Sequence, residues 1–509
     1  MQMIYNVKDK PKFGQLIVFA FQQLLAIMAA TIAVPMIVGN GMSTSAALFG
    51  AGVGTLVYVL FTKAKSPVFL GSSFAFLGAM FAAFSGAATV ALGYVGLIIG
   101  AALAGLVYVV IALIVKFAGV KWINKIMPAV VIGPIVAIIG LSLAGNAIGD
   151  LSRANYTAPV DMAQVQVVEV NTVNEDGTIA TTPVAVNEDG TVNVNIALTP
   201  DENGNLTATT QPGSPYVAVI CGLVALAVVM LCSVYGKKMA RLIPFIIGIL
   251  AGYLVATIFY FIGKATGNAA LMIIDYSALI NNFKEISFSS FIAVPDFSFL
   301  KAFGAFGELN GAYIGTIAAA YVPVAFVVFA EHIADHKNLS SIIEHDLLED
   351  PGLSRTLLGD GIGSMVGAFF GGCPNTTYGE SIGCVAITKN ASVSTIVVTA
   401  CEAIIISFIA PFVAFLSTIP SCVMGGVCIA LYGFIAVSGL KMLQKVDLDD
   451  NRNLFTASVI LITGVGGFIL TFGTITVTTV ACALILGILT NVMLGRKKKT
   501  ETAGKKAKK

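Results

Sequence analysis

Glu331 closes the apolar run Tyr-Val-Pro-Val-Ala-Phe-Val-Val-Phe-Ala, and Glu380 stands in Asn-Thr-Thr-Tyr-Gly-Glu-Ser-Ile-Gly within another apolar segment. An ionised side chain at the centre of a bilayer costs about 3 kcal/mol or more, so it normally faces a cavity, a partner or a substrate. A pair of such acids suits a polar ligand, a proton, or both, held inside a membrane protein.

The histidines His332, His336 and His345 follow Glu331 closely, in Glu331-His-Ile-Ala-Asp335-His336 and the stretch beyond it. On a helix, Glu331 and Asp335 share one face, and His332 and His336 share another, because residues four apart are neighbours. His-x-x-Asp-His is related to the inverted zinc-protease pattern His-x-x-Glu-His. A third ligand is missing, so no metal is expected. An intramembrane metallohydrolase stands only as the alternative of a different class. His345 reads as a surface loop residue and His332 as a polar helix-packing residue.

The elements that must position these groups are membrane helices. The 509 residues are 57% hydrophobic and 11% charged, with mean hydropathy +0.90, against about 25% charged in soluble domains. Apolar runs near the bilayer-spanning length of about 20 residues recur along the chain. They predict an all-α polytopic protein with fourteen spans near 15–38, 45–62, 67–84, 92–115, 128–149, 215–234, 242–263, 313–332, 358–372, 376–388, 392–416, 423–440, 454–473 and 475–495. With both termini cytoplasmic, 25 of the 29 Lys and Arg fall inside, as the positive-inside rule requires. The eight cysteines lie in or beside apolar segments and form no Cys-x-x-Cys pair, so they read as packing residues. Trp122, the one tryptophan, suits an interfacial anchor. The basic tail at 496–509 is a topology signal that also suits contact with membrane lipid.

The spans group as 1–149 and 215–263 in a first half and 313–495 in a second. An acidic loop at 150–214 and an interfacial external loop at 264–312 interrupt them. The acidic loop holds nine acids and one arginine, with Asn-Glu-Asp-Gly-Thr at 174–178 and again at 187–191. Asp-Gly between alternating stretches predicts a small exported β-hairpin element.

Three sequence pairs recur seven spans apart. Gly71-Ser72-Ser73-Phe74-Ala75-Phe76 parallels Asn375-Thr376-Thr377-Tyr378-Gly379-Glu380. Pro128-Ala-Val-Val-Ile-Gly133 parallels Pro420-Ser-Cys-Val-Met-Gly425, and Pro35 parallels Pro323. An odd offset means two halves of inverted topology. Interrupted segments at matching places in such halves point to a midplane substrate site.

Ala-Glu-His-Ile-Ala-Asp-His, Pro-Asn-Thr-Thr-Tyr-Gly-Glu-Ser-Ile-Gly-Cys-Val-Ala-Ile-Thr-Lys, Gly-Ser-Ser-Phe-Ala-Phe and Asp350-Pro-Gly-Leu353 together resemble the nucleobase–ascorbate transporter family, most of all its bacterial uracil permeases. The resemblance covers nearly the whole chain outside 150–214. It implies a seven-plus-seven inverted repeat in core and gate domains, with short strands in the third and tenth spans meeting at the substrate. It further implies a proton-coupled uracil symporter of the bacterial cytoplasmic membrane, a homodimer, with no cofactor and no nucleic acid. Uracil would be held by Glu331 and Glu380, with Ser73, Phe74, Tyr378 and Gly379 beside it. An ionised carboxylate accepts from N–H and a protonated one donates to C=O. Glu331, Glu380, Asp335 and His336 are therefore the proton-coupling candidates. Purine carriers of the family resemble a Gln-Asn version at the tenth span, so a xanthine or urate symporter is the alternative. The chain departs from the family at Asp335, where a related carrier has histidine, and at Ser381, where asparagine is common. Glu402 has no counterpart and is expected to hydrogen-bond a neighbouring helix.

Overall fold

The computed structural model describes residues 3–119, 128–160, 165–173, 179–186, 196–200, 206–237, 239–472 and 475–495. Trp122, the Asp-Gly turns at 174–178 and 187–191, and the basic tail lie outside these residues.

Eight helices among them are long and apolar enough to cross a membrane. These are α1 (Phe13–Val38), α2 (Thr44–Phe61), α4 (Val90–Ala118), α5 (Ala129–Ser142, continuing through Leu151), α6 (Pro215–Tyr235), α7 (Pro244–Thr266), α8 (Gly311–Ile343) and α12 (Ser421–Leu443). The other six predicted spans are shorter, broken or less apolar, for identifiable reasons. The third is strand β1 (Leu70–Ser72), one 3₁₀ turn, and α3 (Leu77–Ser85). The ninth, α9 (Leu353–Gly371), carries Arg355 and Asp360 among many glycines. The tenth is a strand at Asn375–Thr377 followed by α10 (Gly379–Thr388). The eleventh stops at Ser407 as α11 (Val393–Ser407) and resumes at Ala410 as a short helix with Pro411 in its first turn, a favoured position for proline. α13 (Asn451–Val465) ends at Gly466, and α14 (Thr479–Gly495) has 17 residues.

The helices pack as two sets. α1–α4 associate with α8–α11, and α5–α7 associate with α12–α14. Small residues let the first set close up. A Cβ on Gly54 of α2 would come within 2.7 Å of the Gly363 carbonyl oxygen on α9, so the two backbones touch at this crossing. Glycine at both positions is what permits it.

The polar insertion carries strands in the described residues. β2 (Ala158–Val160), β6 (Leu206–Thr210) and β5 (Ile196–Pro200) form an antiparallel sheet in the order β2-β6-β5. β3 (Gln166–Val173) pairs antiparallel with β4 (Ile179–Val186) in full register. The strand of the tenth segment is β7, and β8 (Leu470–Phe472) pairs with β9 (Ile475–Val477) ahead of α14.

Candidate functional site

β1 and β7 pair antiparallel inside the protein, Leu70 opposite Thr377 and Ser72 opposite Asn375. Ser73 N–H extends the ladder to the Pro374 carbonyl at 2.9 Å. Three residues per strand leave each chain free to start a helix at once, the 3₁₀ turn at Phe74 and α10 at Gly379. Two helix N-termini therefore converge on one place, with their first-turn N–H groups unspent by helix bonding. Side chains lock the crossing. Tyr378 Oη donates to the Ser72 carbonyl at 2.6 Å, and a Cβ on Gly71 would overlap the Tyr378 ring. Ser381, the departure from the family's asparagine, accepts from Phe69 N–H at 3.1 Å and from Gln23 Nε2 at 2.6 Å. It thereby ties the first turn of α10 to the start of β1 and to α1.

α8 supplies the third wall. Asn310 caps its N-terminus by accepting from Tyr313 N–H at 2.8 Å. The helix divides its polar residues as a four-residue spacing requires. Glu331 and Asp335 line a cavity of about 430 Å³, while His332 and His336 point away into the packed interior and are fully buried. The two imidazoles stack at 4.0 Å. His332 Nδ1 lies 2.7 Å from Asp360 Oδ2, and His332 Nε2 lies 3.0 Å from Thr356 Oγ1. His336 Nδ1 faces the His332 carbonyl at 2.8 Å. A carbonyl only accepts, so Nδ1 carries the hydrogen and Nε2 of the neutral ring is an acceptor, facing the Tyr58 hydroxyl at 2.7 Å and the Ser66 hydroxyl at 3.5 Å. Every ring nitrogen of the pair already has a partner, which leaves the zinc reading no free imidazole nitrogen.

The cavity gathers Glu331, Glu380, Ser73, Phe74, Tyr378, Gly379 and Asp335. His336 is not in its wall. Asp335 is anchored by Thr377, whose Oγ1 donates to Oδ2 at 2.7 Å. The facing wall belongs to the other helix set, with Val136 and Ile139 on α5 and Leu431, Phe434 and Ser438 on α12. The sequence reading singled out none of those five: the four apolar ones look like any lipid or core contact, and Ser438 is one of many small polar residues in the apolar segments. It also missed Asp360. The signal was available, since an acid in Leu-Gly-Asp-Gly-Ile-Gly invites the argument applied to Glu331. The cavity's rim includes Arg241 and Ile387, both exposed. Among the described residues Glu402 Oε2 is buried and unpartnered, so the hydrogen bond expected for it is not formed at that atom.

The chain matches known proteins in sequence and in fold. A family model described as Permease family, the xanthine–uracil type, matches residues 14–174 and 207–472. The chain belongs to the nucleobase–ascorbate transporter family. It is 36% identical to the uracil permease of Bacillus caldolyticus, over 96% of this chain and 94% of that one. It is 32% identical to the uracil permease of Escherichia coli K12, over 95% and 92%. These relatives are permeases, not enzymes, and the chain is a multi-pass membrane protein. Among solved structures, the transmembrane domain of the cyanobacterial bicarbonate transporter BicA superposes with a TM-score of 0.56 at 13% identity, covering 95% of this chain and 99% of that one. Murine Slc26a9, an anion transporter in its inward-facing state, gives 0.55 at 12%, covering 96% and 69%. At such identities the likeness speaks for the fold alone.

Proposed function

We propose that this chain takes up uracil across the bacterial cytoplasmic membrane together with protons. The observation that carries the reading is the meeting of Glu331 and Glu380 with Phe74 and Tyr378 at one cavity between two helix sets. Uracil is flat and presents N–H donors and C=O acceptors at its edge. Two carboxyls accept from the N–H groups, and whichever holds a proton donates to a carbonyl. Aromatic rings suit its faces, and the N–H groups at the starts of α10 and the 3₁₀ turn suit its oxygens. The curated relatives named uracil permeases support the substrate.

Coupling follows if uracil binds only after a carboxyl has taken its proton. Glu331, Glu380 and Asp335 face the cavity and are the groups positioned for it; His336 acts from behind through α8. The two helix sets correspond to a core of spans 1–4 and 8–11 and a gate of spans 5–7 and 12–14, in a seven-plus-seven inverted repeat. Both termini are cytoplasmic, so the cavity opens inward at Arg241. The active unit is a homodimer in contact with membrane lipid.

Titration calorimetry of the purified protein with uracil and with xanthine tests the substrate. Saturable uracil binding that xanthine does not displace is expected. Preference for xanthine would transfer the assignment to the purine branch.

A further inference from the structure

A second cavity, of about 380 Å³, lies at the far side of the same passage. It sits at the C-terminal ends of α3 and α5 and the start of α14, the end of the bundle from which the chain continues into β2–β6. Phe74, Ala75 and Ile139 line both cavities. One layer of side chains therefore separates the two, with the Tyr432 ring edge-on to Phe74 at 6.1 Å and 78°. Phe74 belongs to the first helix set, while Ile139 and Tyr432 belong to the second.

We propose that this outer cavity is a second, transient binding site for the same uncharged planar heterocycle, and that Phe74 with Ile139 forms the barrier between the two sites. The proposal rests on the uracil reading above. Its volume falls within the range of small-molecule sites. Phe74 and Phe81 offer ring faces, and Asn146, Thr478 and Thr479 offer neutral donors and acceptors. Thr478 lines the cavity, and among the described residues its buried Oγ1 has no hydrogen-bond partner. Among the described residues the lining holds no Asp, Glu, Lys or Arg, which suits a neutral molecule. Because α3 faces α5 and α14 across it, a shift of one helix set against the other opens the barrier on the outer side while closing the inner cavity.

Asn146→Leu and Thr478→Val test the site, since neither residue lines the inner cavity. Labelled uracil influx and efflux are measured in oriented proteoliposomes, and uracil affinity is measured on the purified protein. In each variant, KM for influx from the outer side should rise about fivefold, the loss expected for one neutral hydrogen bond. KM for efflux and the affinity of the purified protein should stay as in the wild type. Unchanged influx KM in both variants overturns the proposal, as does a rise shared equally by influx and efflux. Absence of wild-type uracil transport sinks the underlying reading instead, and the two failures are thereby told apart.

Discussion

Thr377 Oγ1 donates to Asp335 Oδ2 across 2.7 Å, joining the last residue of β7 to the cavity face of α8. Glu380 lies three residues beyond Thr377 and Glu331 one turn before Asp335, so this bond sets the spacing of the two acids read as the substrate clamp. Thr377→Val should raise KM for uracil about three- to tenfold with normal membrane insertion, whereas Thr377→Ser should restore it. Uptake kinetics at matched expression check this.

Glu331→Gln and Glu380→Gln each remove a charge-assisted acceptor, a loss of about 1.5–3 kcal/mol. Uptake at low uracil concentration should fall about 10- to 100-fold in either variant. Near wild-type uptake in both would detach these residues from the substrate.

Gly71→Ala places a methyl group in the Tyr378 ring. The β1–β7 crossing cannot accept it without moving the Tyr378 hydroxyl off the Ser72 carbonyl. Lower yield and lower thermal stability in detergent are expected, and Gly71→Ala/Tyr378→Ala should recover part of the stability but not transport.

Tyr58→Phe removes the nearer of the two hydroxyls that face buried His336 Nε2 and deprives Ser66 Oγ of the Tyr58 hydroxyl, at a cost of about 1–3 kcal/mol. The midpoint of thermal unfolding should drop. Binding should weaken less than in Glu331→Gln, because the His332–His336 stack supports α8 from behind and does not reach the cavity.

Just beyond the C-terminal end of α2, the Lys65 ammonium bonds Asp350 at 2.6 Å and holds its carboxyl below the usual aspartate range. A depressed carboxylate stabilises the fold above its unfolded pKa and loses that contribution as pH falls through the folded value. Both partners are substantially exposed, so the effect is small. Lys65→Gln should slightly lower stability at neutral pH and flatten the acid limb of the profile, with the difference from wild type vanishing at the acid end, as thermal melts between pH 3 and 7 would show.

What was readable in the sequence divides along physical lines. Glu331 and Glu380 announced themselves because charge in an apolar run is costly, and the four-residue spacing correctly put Glu331 with Asp335 and His332 with His336. The Gly-Ser-Ser-Phe and Asn-Thr-Thr-Tyr segments pointed to the place where β1 meets β7. The function of Ser381 was not legible, since its partners Gln23 and Phe69 are more than 300 positions away. Nor was the partner of His332, because Asp360 lies on another helix. Ile139 and Phe434 were hidden for a different reason: an apolar side chain facing a cavity has the same sequence signature as one facing lipid.

The central claim is tested most directly by uptake of labelled uracil into proteoliposomes holding the purified protein, with and without an inward proton gradient. Saturable uptake that the gradient accelerates is the predicted result. No saturable uptake, or uptake indifferent to the gradient, would contradict it.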